Sequence, residues 1–332
     1  NAARICHAPS TAGLRTMVGA GATTISYSDL MKSDLVVLFG SDVANAQPVV
    51  MKYLYLARKE GTRVAVVNPY REPGLERYWV PSNAESALFG TRMTDEFFAV
   101  NIGGDIAFIA GVMKVLAATG GLDEAFIATH TTGFGDLSAI LDDLPFDELE
   151  RLSGASRADM ERFAGMYAAA ESAIFVWSMG LTQHAFGSDN VRAVINLALA
   201  RGNVGREGAG LMPIRGHSGV QGGAEMGAYA TALPGGVALD ADSAAAVAEH
   251  WGFTPPSEPG LTAVVMSYVA AHGRLAVLYS SGGNFPDTLP HPVLVSYRLP
   301  RAPIPVHQDI VCTQQLPSDL GHCLFNTSYS SP

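Results

Sequence analysis

The strands of this chain announce themselves as continuous apolar runs, not as alternating ones. Asp34–Gly40 (DLVVLFG), Arg63–Val67 (RVAVV), Ala173–Ser178 (AIFVWS) and Leu275–Tyr279 (LAVLY) each read as a strand covered on both faces, the habit of a parallel sheet. Between them lie helical patterns. Pro48 opens one that runs to about Glu60 and stops at Gly61. Asp105 stands at the N-cap position of an apolar helix, Ile106–Ala118. Leu122–Thr129, Leu137–Leu144 and Phe146–Leu152 read as short helices. Ser156 opens a longer one, with Asp159 as a capping-box acid, that runs to about Ala170. Asp189 is read as the cap of Asn190–Leu199. Ala99–Ile102 and Ile304–His307 are candidate short strands, and 244–251 and Leu261–Ala271 candidate helices. A Ser/Thr pair at 10–11 is a candidate helix cap. The alternation predicts an α/β fold with a mostly parallel sheet.

Four of the strands open into loops of one character: SDVANAQP, NPYREPG, MGLTQHAFG and SSGGNFPDT. Ligands of doubly wound sheets sit outside the carboxyl ends of the strands, so these loops predict a ligand larger than a mononucleotide. No GxGxxG lies between a strand and a helix, and there is no P-loop and no GxSxG elbow. A nicotinamide dehydrogenase is disfavoured accordingly.

Gly202–Gly227 breaks the pattern. Nine of its 26 residues are glycine, and Arg215 stands alone among small side chains at its centre. Such a stretch is either a linker or a loop folded closely on a large anionic ligand, with the Arg215 guanidinium turned to an anionic substrate. Met, Ile and Val between the glycines favour the folded loop.

Composition sharpens this. With 332 residues, length predicts about two domains. Hydrophobic residues make up 48% and charged ones only 16%, so surface is expected to be buried against a cofactor, a domain or a subunit. A net charge of −10 argues against a nucleic-acid partner. No apolar run reaches membrane-spanning length. The three cysteines, Cys6, Cys312 and Cys323, form no CxxC pair and no disulfide framework, which predicts a reducing, cytoplasmic setting. Cys6 and His7 are adjacent: a thiolate beside an imidazole is a candidate metal ligand, but the dipeptide by itself favours a small buried cysteine beside an incidental histidine.

RICHAPS at 4–10, VLFGSDVANAQP, VVNPYR, WSMGLTQH and GNVGREGAGLMPIRGHSGVQG together resemble the catalytic subunit of molybdenum or tungsten formate dehydrogenases. That subunit belongs to the molybdopterin oxidoreductase (dimethyl sulfoxide reductase) superfamily, and the likeness is closer to its YdeP-like branch. It extends to about Gln315. The resemblance implies two doubly wound, mostly parallel α/β domains, 1–212 and a partial 213–332. It implies a central fragment, with any iron–sulfur cluster in a part preceding Asn1. The implied cofactor is a bis(molybdopterin guanine dinucleotide) with molybdenum or tungsten, ligated by Cys6. The implied reaction is the two-electron oxidation of formate to carbon dioxide, with an electron-acceptor protein or subunit as partner; a metal-free scaffold of the same fold is the alternative. His7 would be the adjacent acid–base residue, and Arg215 would hold the substrate carboxylate. The resemblance also assigns cofactor contacts to Gly40, Ser41 and Asn45, and to Asn68, Pro69 and Arg71, with Asn68 standing where the family often has an acid. It adds Gly104 and Asp105, Met179, Gly180 and Gln183, then Gly216 and His217, and finally Gly282, Asn284, Gln308 and Asp309.

Overall fold

Five strands make the first sheet, in which every neighbouring pair is parallel. They are β1 (Leu35–Phe39), β2 (Arg63–Asn68), β3 (Glu96–Ala99), β4 (Ala173–Trp177) and β5 (Gly210–Pro213), in the spatial order β3-β2-β1-β4-β5. The computed structural model describes residues 6–81, 83–217, 219–289, 291–298, 304–309 and the backbone of 322–325. These residues form two compact units, Cys6–Ser218 and a second that runs from Gly219.

The sheet of the first unit is buried on both faces because its strands are apolar at successive positions. Leu35, Val37 and Phe39 of β1 face a core shared with helices α1 (Ala8–Val18), α3 (Asp105–Ala118), α4 (Arg157–Ala169) and α5 (Gly187–Leu199). Val36 and Leu38 face a second core shared with α2 (Pro48–Lys59). This is the doubly wound arrangement. Strand order reverses between β1 and β4, the topological switch point where such sheets bind ligands.

Local signals place most of these elements. Pro48 occupies the first turn of α2, and Arg58 and Lys59 close it where the helix dipole favours cations. Ser156 and Asp159 form a reciprocal capping box at the start of α4. Helix α3 is so apolar that it is buried nearly all round.

Five local expectations are corrected. The strand expected at Ala99–Ile102 lies at Glu96–Ala99. Asp95 anchors its entry by pairing with Arg58 and accepting from the Val64 amide at 2.8 Å, while Ile102 is exposed in the loop beyond. Gly104, not Asp105, is the N-cap of α3, and Asp105 is its first helical residue. Asp189 is not a cap; α5 already begins at Gly187, and Asp189 pairs with Arg192 at 2.8 Å. Ser10 and Thr11 lie inside α1, which begins at Ala8. The glycine stretch holds a fully buried strand, β5, whose apolar core is only four residues long. Its glycine is needed there, since a Cβ on Gly210 would lie 2.4 Å from Ile25 Cγ2.

The second unit contains a two-stranded antiparallel hairpin, β6 (Ala232–Leu233) and β7 (Val237–Ala238). Helices α6 (Ala241–Trp251) and α7 (Ala263–Ala271) follow. Its parallel sheet has the order β10-β9-β8, from β8 (Val277–Ser281), β9 (Ile304–Asp309) and β10 (His322–Phe325). Strand β8 departs from the sequence reading. Leu278 and Ser280 are buried, but Val277 and Tyr279 are exposed, so this apolar run is covered on one face only.

The back of the first sheet is closed by a polar knot. Tyr167 donates its hydroxyl proton to the Leu197 carbonyl in the last turns of α5 (2.9 Å) and accepts from Asn203 Nδ2 (2.8 Å), all fully buried. Tyr167→Phe leaves a buried carbonyl and a buried amide unsatisfied, so a loss of about 1–3 kcal/mol is expected in urea unfolding, with an unchanged m-value.

Candidate active site

The side chains assigned by the sequence in the first unit gather at the carboxyl edge of the sheet, around the switch point. Two loops meet there backbone to backbone. The Gly180 amide donates to the Gly40 carbonyl at 3.0 Å. A Cβ on Gly40 would stand 2.5 Å from the Leu181 nitrogen, and one on Gly180 would stand 2.6 Å from the Gly40 oxygen. Gly40 also has φ +53°. These two glycines therefore join the loops after β1 and β4, a role that needs no ligand contact. Gly104 is similar: its Cβ would lie 2.7 Å from the Ser153 oxygen.

Asn68 turns out to be a clamp. Its Oδ1 accepts from the Ser41 amide and its Nδ2 donates to the Ser41 carbonyl, both at 3.3 Å, and it is buried. It fixes the start of the loop after β1 instead of presenting its amide outward. Asn45 Nδ2 donates to Asp42 Oδ2 at 2.6 Å. Pro69 is exposed, and Arg71 lies over the Phe97 ring at 4.2 Å while pairing with Glu76 at 3.3 Å. Met179 is 40% exposed, and His217 is exposed as well.

Cys6, His7 and Arg215 come together, although more than 200 residues separate them in sequence. The Cys6 backbone is held by the loop after β4: Thr182 Oγ1 and Gln183 Nε2 donate to its carbonyl at 2.9 and 3.1 Å. Its thiol is half-buried. Burial pushes the thiol above its ordinary value, while the Gly216 amide donating to the sulfur and the nearby Arg215 charge pull it down.

His7 is buried, and both ring nitrogens are engaged. Nε2 lies 3.0 Å from the Ile214 carbonyl and Nδ1 lies 2.7 Å from Ser10 Oγ. A carbonyl can only accept, so Nε2 carries the proton and Nδ1 accepts from the Ser10 hydroxyl. Ser10 Oγ in turn accepts from Trp177 Nε1 at 2.9 Å. Burial, and next the charge of Arg215, push His7 down to about 4, with only the Ile214 carbonyl acting the other way. His7 is a neutral imidazole at neutral pH.

The Ile214 carbonyl has a second donor, Ser178 Oγ at 3.3 Å, and Ser178 accepts from Gln47 Nε2 at 3.3 Å. The Ile214 amide donates to the Trp177 carbonyl at 2.9 Å. Ser10, Gln47, Trp177, Ser178 and Thr182 were missed in the sequence. Small hydroxyls and a strand tryptophan carry no pattern that separates this use from ordinary packing.

The loop after β1 is polar beyond what the fold uses. Ser41 Oγ, Asp42 Oδ1 and Gln47 Oε1 are buried without hydrogen-bond partners among the described residues. Native interiors tolerate few such atoms, and three in one loop fit a polar ligand that satisfies them. In the second unit, Ser280 Oγ at the end of β8 and Asn284 Oδ1 just beyond it are likewise buried without partners among the described residues. There the Gly282 amide donates to the Gln308 carbonyl at 2.9 Å, so the sequence-assigned Gly282, Asn284, Gln308 and Asp309 share one strand-end region.

The profile described as Molybdopterin oxidoreductase matches residues 1–321. The chain belongs to the molybdopterin oxidoreductase family. Protein YdeP of Escherichia coli (strain K12) is 35% identical over 315 residues, covering 91% of this chain and 41% of that protein. Formate dehydrogenase H of the same strain is 32% identical over 282 residues, covering 84% of this chain and 37% of that one. Among solved structures, acetylene hydratase from Pelobacter acetylenicus matches with a TM-score of 0.60 over 93% of this chain and 42% of that chain. At 15% identity this last likeness is one of fold. The chain spans about two fifths of the length of these relatives. Among the described residues no helix is long and apolar enough to cross a membrane.

A molybdopterin-type cofactor with molybdenum or tungsten is what the family is built around. The residues present fit one: the unsatisfied oxygens of Asp42, Gln47 and Asn284 are acceptors that suit the N–H groups of a pterin, and a half-exposed thiol suits a soft, sulfur-rich metal centre.

Asp105 extends the polar edge to the start of α3. Burial raises its carboxyl to about 6, against the pull of its own amide and of His184. The folded state thus resists its ionisation. Below about pH 4 Asp105 is protonated in both states and has no effect; the penalty grows as pH rises to 6 and is full above. Asp105→Asn is therefore expected to raise unfolding free energy by on the order of 1–3 kcal/mol at pH 8 and to leave it unchanged at pH 4, measured by denaturant unfolding at both. Gly180→Ala is expected to cost more than about 2 kcal/mol at either pH, because backbone on both sides would have to move.

Proposed function

We propose that this chain is the catalytic core of a molybdopterin-dependent formate dehydrogenase, holding the metal end of a bis(molybdopterin guanine dinucleotide). The observation that carries the reading is the grouping of a half-exposed Cys6 thiol with the Gly216 amide and the Arg215 charge at the switch-point edge. The likeness to formate dehydrogenase H supports formate as the substrate.

In this reading Cys6 ligates molybdenum or tungsten through its thiolate. The Gly216 N–H stabilises that anion, and Arg215 lowers the cost of forming it. When bound, the cofactor supplies the two-electron redox chemistry. Arg215 pairs with the substrate carboxylate and orients it; formate loses two electrons and a proton to become carbon dioxide. Thr182 and Gln183 keep the Cys6 carbonyl, and with it the thiol, at a fixed place over β4. Ser41, Asp42, Gln47 and Gly216 offer hydrogen-bonding groups and open backbone to one dinucleotide of the cofactor, and in the second unit Ser280 and Asn284 offer theirs to the other. Asn45, Pro69, Arg71, Asp105, Met179, Gln183 and His217, with Gly282, Gln308 and Asp309 in the second unit, complete the proposed cofactor contacts.

Metal analysis tests the reading. Protein made in cells that synthesise the cofactor is expected to contain molybdenum or tungsten, and Cys6→Ser to lose most of it. If neither metal is present in the unaltered protein, the redox reading fails and a metal-free scaffold takes its place. Arg215→Lys keeps the charge but loses the planar fork, so kcat/KM for formate is expected to fall about 10- to 100-fold, mainly through KM, with metal content unchanged.

A further inference from the structure

His7 sits between two groups that the redox reading needs, and both its ring nitrogens are engaged by protein groups. Its Nε2–H is on the Ile214 carbonyl, the peptide oxygen immediately before Arg215. Its Nδ1 receives the Ser10 hydroxyl, and that hydroxyl oxygen is held by Trp177 Nε1–H. The chain of donors runs in one direction: indole to serine, serine to imidazole, imidazole to carbonyl. Reversing any step would place two donors or two acceptors face to face. Trp177 is the last residue of β4, and the same residue's backbone carbonyl receives the Ile214 amide. The end of β4 therefore grips the Arg215 approach twice, directly through backbone and indirectly through Ser10 and His7.

We infer that Ser10, Trp177 and His7 are positioning residues, a hydrogen-bonded brace that locks His7 in its Nε2–H tautomer and thereby fixes Arg215 and the Gly216 amide relative to the Cys6 sulfur. The inference rests on the reading of Cys6 and Arg215 given above. It assigns His7 its work through Ile214 and not through proton exchange with a ligand: Cys6 and Gly216 are then set by one rigid connection, since His7 follows Cys6 in the chain and the Ile214 carbonyl lies two residues before Gly216. Glutamine separates the two roles. Its Nε2 can donate to the Ile214 carbonyl as the imidazole does, but it cannot take up and release a proton.

The test uses the full chain. Long-range ¹H–¹⁵N spectra of the histidine rings, assigned by loss of the His7 signals in His7→Gln, report the tautomer. The Nε2–H form at pH 7 is expected in the unaltered protein, and a mixed or Nδ1–H form in Ser10→Ala. Amide exchange at Ile214 and Gly216 is read on the same samples, with Val36–Leu38 of β1 as the internal reference for general loosening. His7→Ala and Ser10→Ala are expected to speed exchange at Ile214 and Gly216 about tenfold or more with the reference unchanged, and His7→Gln to stay within about threefold of the unaltered protein. An Nδ1–H tautomer in the unaltered protein, or exchange in His7→Gln as fast as in His7→Ala, overturns the brace. Should Ser10→Ala fail to fold, the glutamine comparison still decides. Metal content of the unaltered protein is measured in parallel: absence of metal with intact rescue sinks the redox reading alone, and metal without rescue sinks the brace alone.

Discussion

One carbonyl oxygen, that of Ile214, holds the candidate site together. It accepts from His7 Nε2, which follows Cys6 in the chain, and from Ser178 Oγ, which lies beyond β4 and is itself held by Gln47 from the loop after β1. Three segments distant in sequence are thereby tied to the peptide just before Arg215. A neutral hydrogen bond contributes only about a kilocalorie per mole, but leaving this buried oxygen bare would cost more, so each donor is strongly specified. The thiol, the amide and the guanidinium owe their grouping to this convergence.

The site is held against the preferences of the fold. Asp105 is a carboxyl whose ionisation burial delays to about pH 6, and the loop after β1 keeps buried polar atoms without partners among the described residues. Neither feature helps the polypeptide fold. Both are what is expected where a surface is shaped for a polar ligand and stability is given up locally. The rigid frame beneath compensates: a parallel sheet buried on both faces, with Gly40 and Gly180 interlocked at its edge.

Within this frame the histidine beside the cysteine takes on a different character from that suggested by adjacency alone. A Cys–His pair reads as a nucleophile or ligand with its proton carrier. Here the ring is turned inward and satisfied at both nitrogens, while the backbone of its neighbour is pinned by Thr182 and Gln183. Geometry, not residue type, separates a proton carrier from a brace.

The α/β class, four strands of apolar sequence and the longer helices could be read directly from the chain, because burial on both faces and end-capping leave signatures within a few residues. Arg215 stands out as a candidate by its charge among small and apolar residues, whereas Cys6 becomes one only through the family resemblance of its motif. Strand β5 could not be read in this way: four residues among glycines carry too short a pattern, and only pairing with β4 makes them a strand. The one-sided cover of β8 was likewise invisible, since an apolar run does not say how many faces are packed. Nor could the roles of Asn68, Ser10, Trp177 and Ser178 be foreseen. Their chemistry lies in which donor meets which acceptor between segments as far apart as Ser10 and Trp177, and that is decided by the fold's three-dimensional closure, to which local propensity is blind.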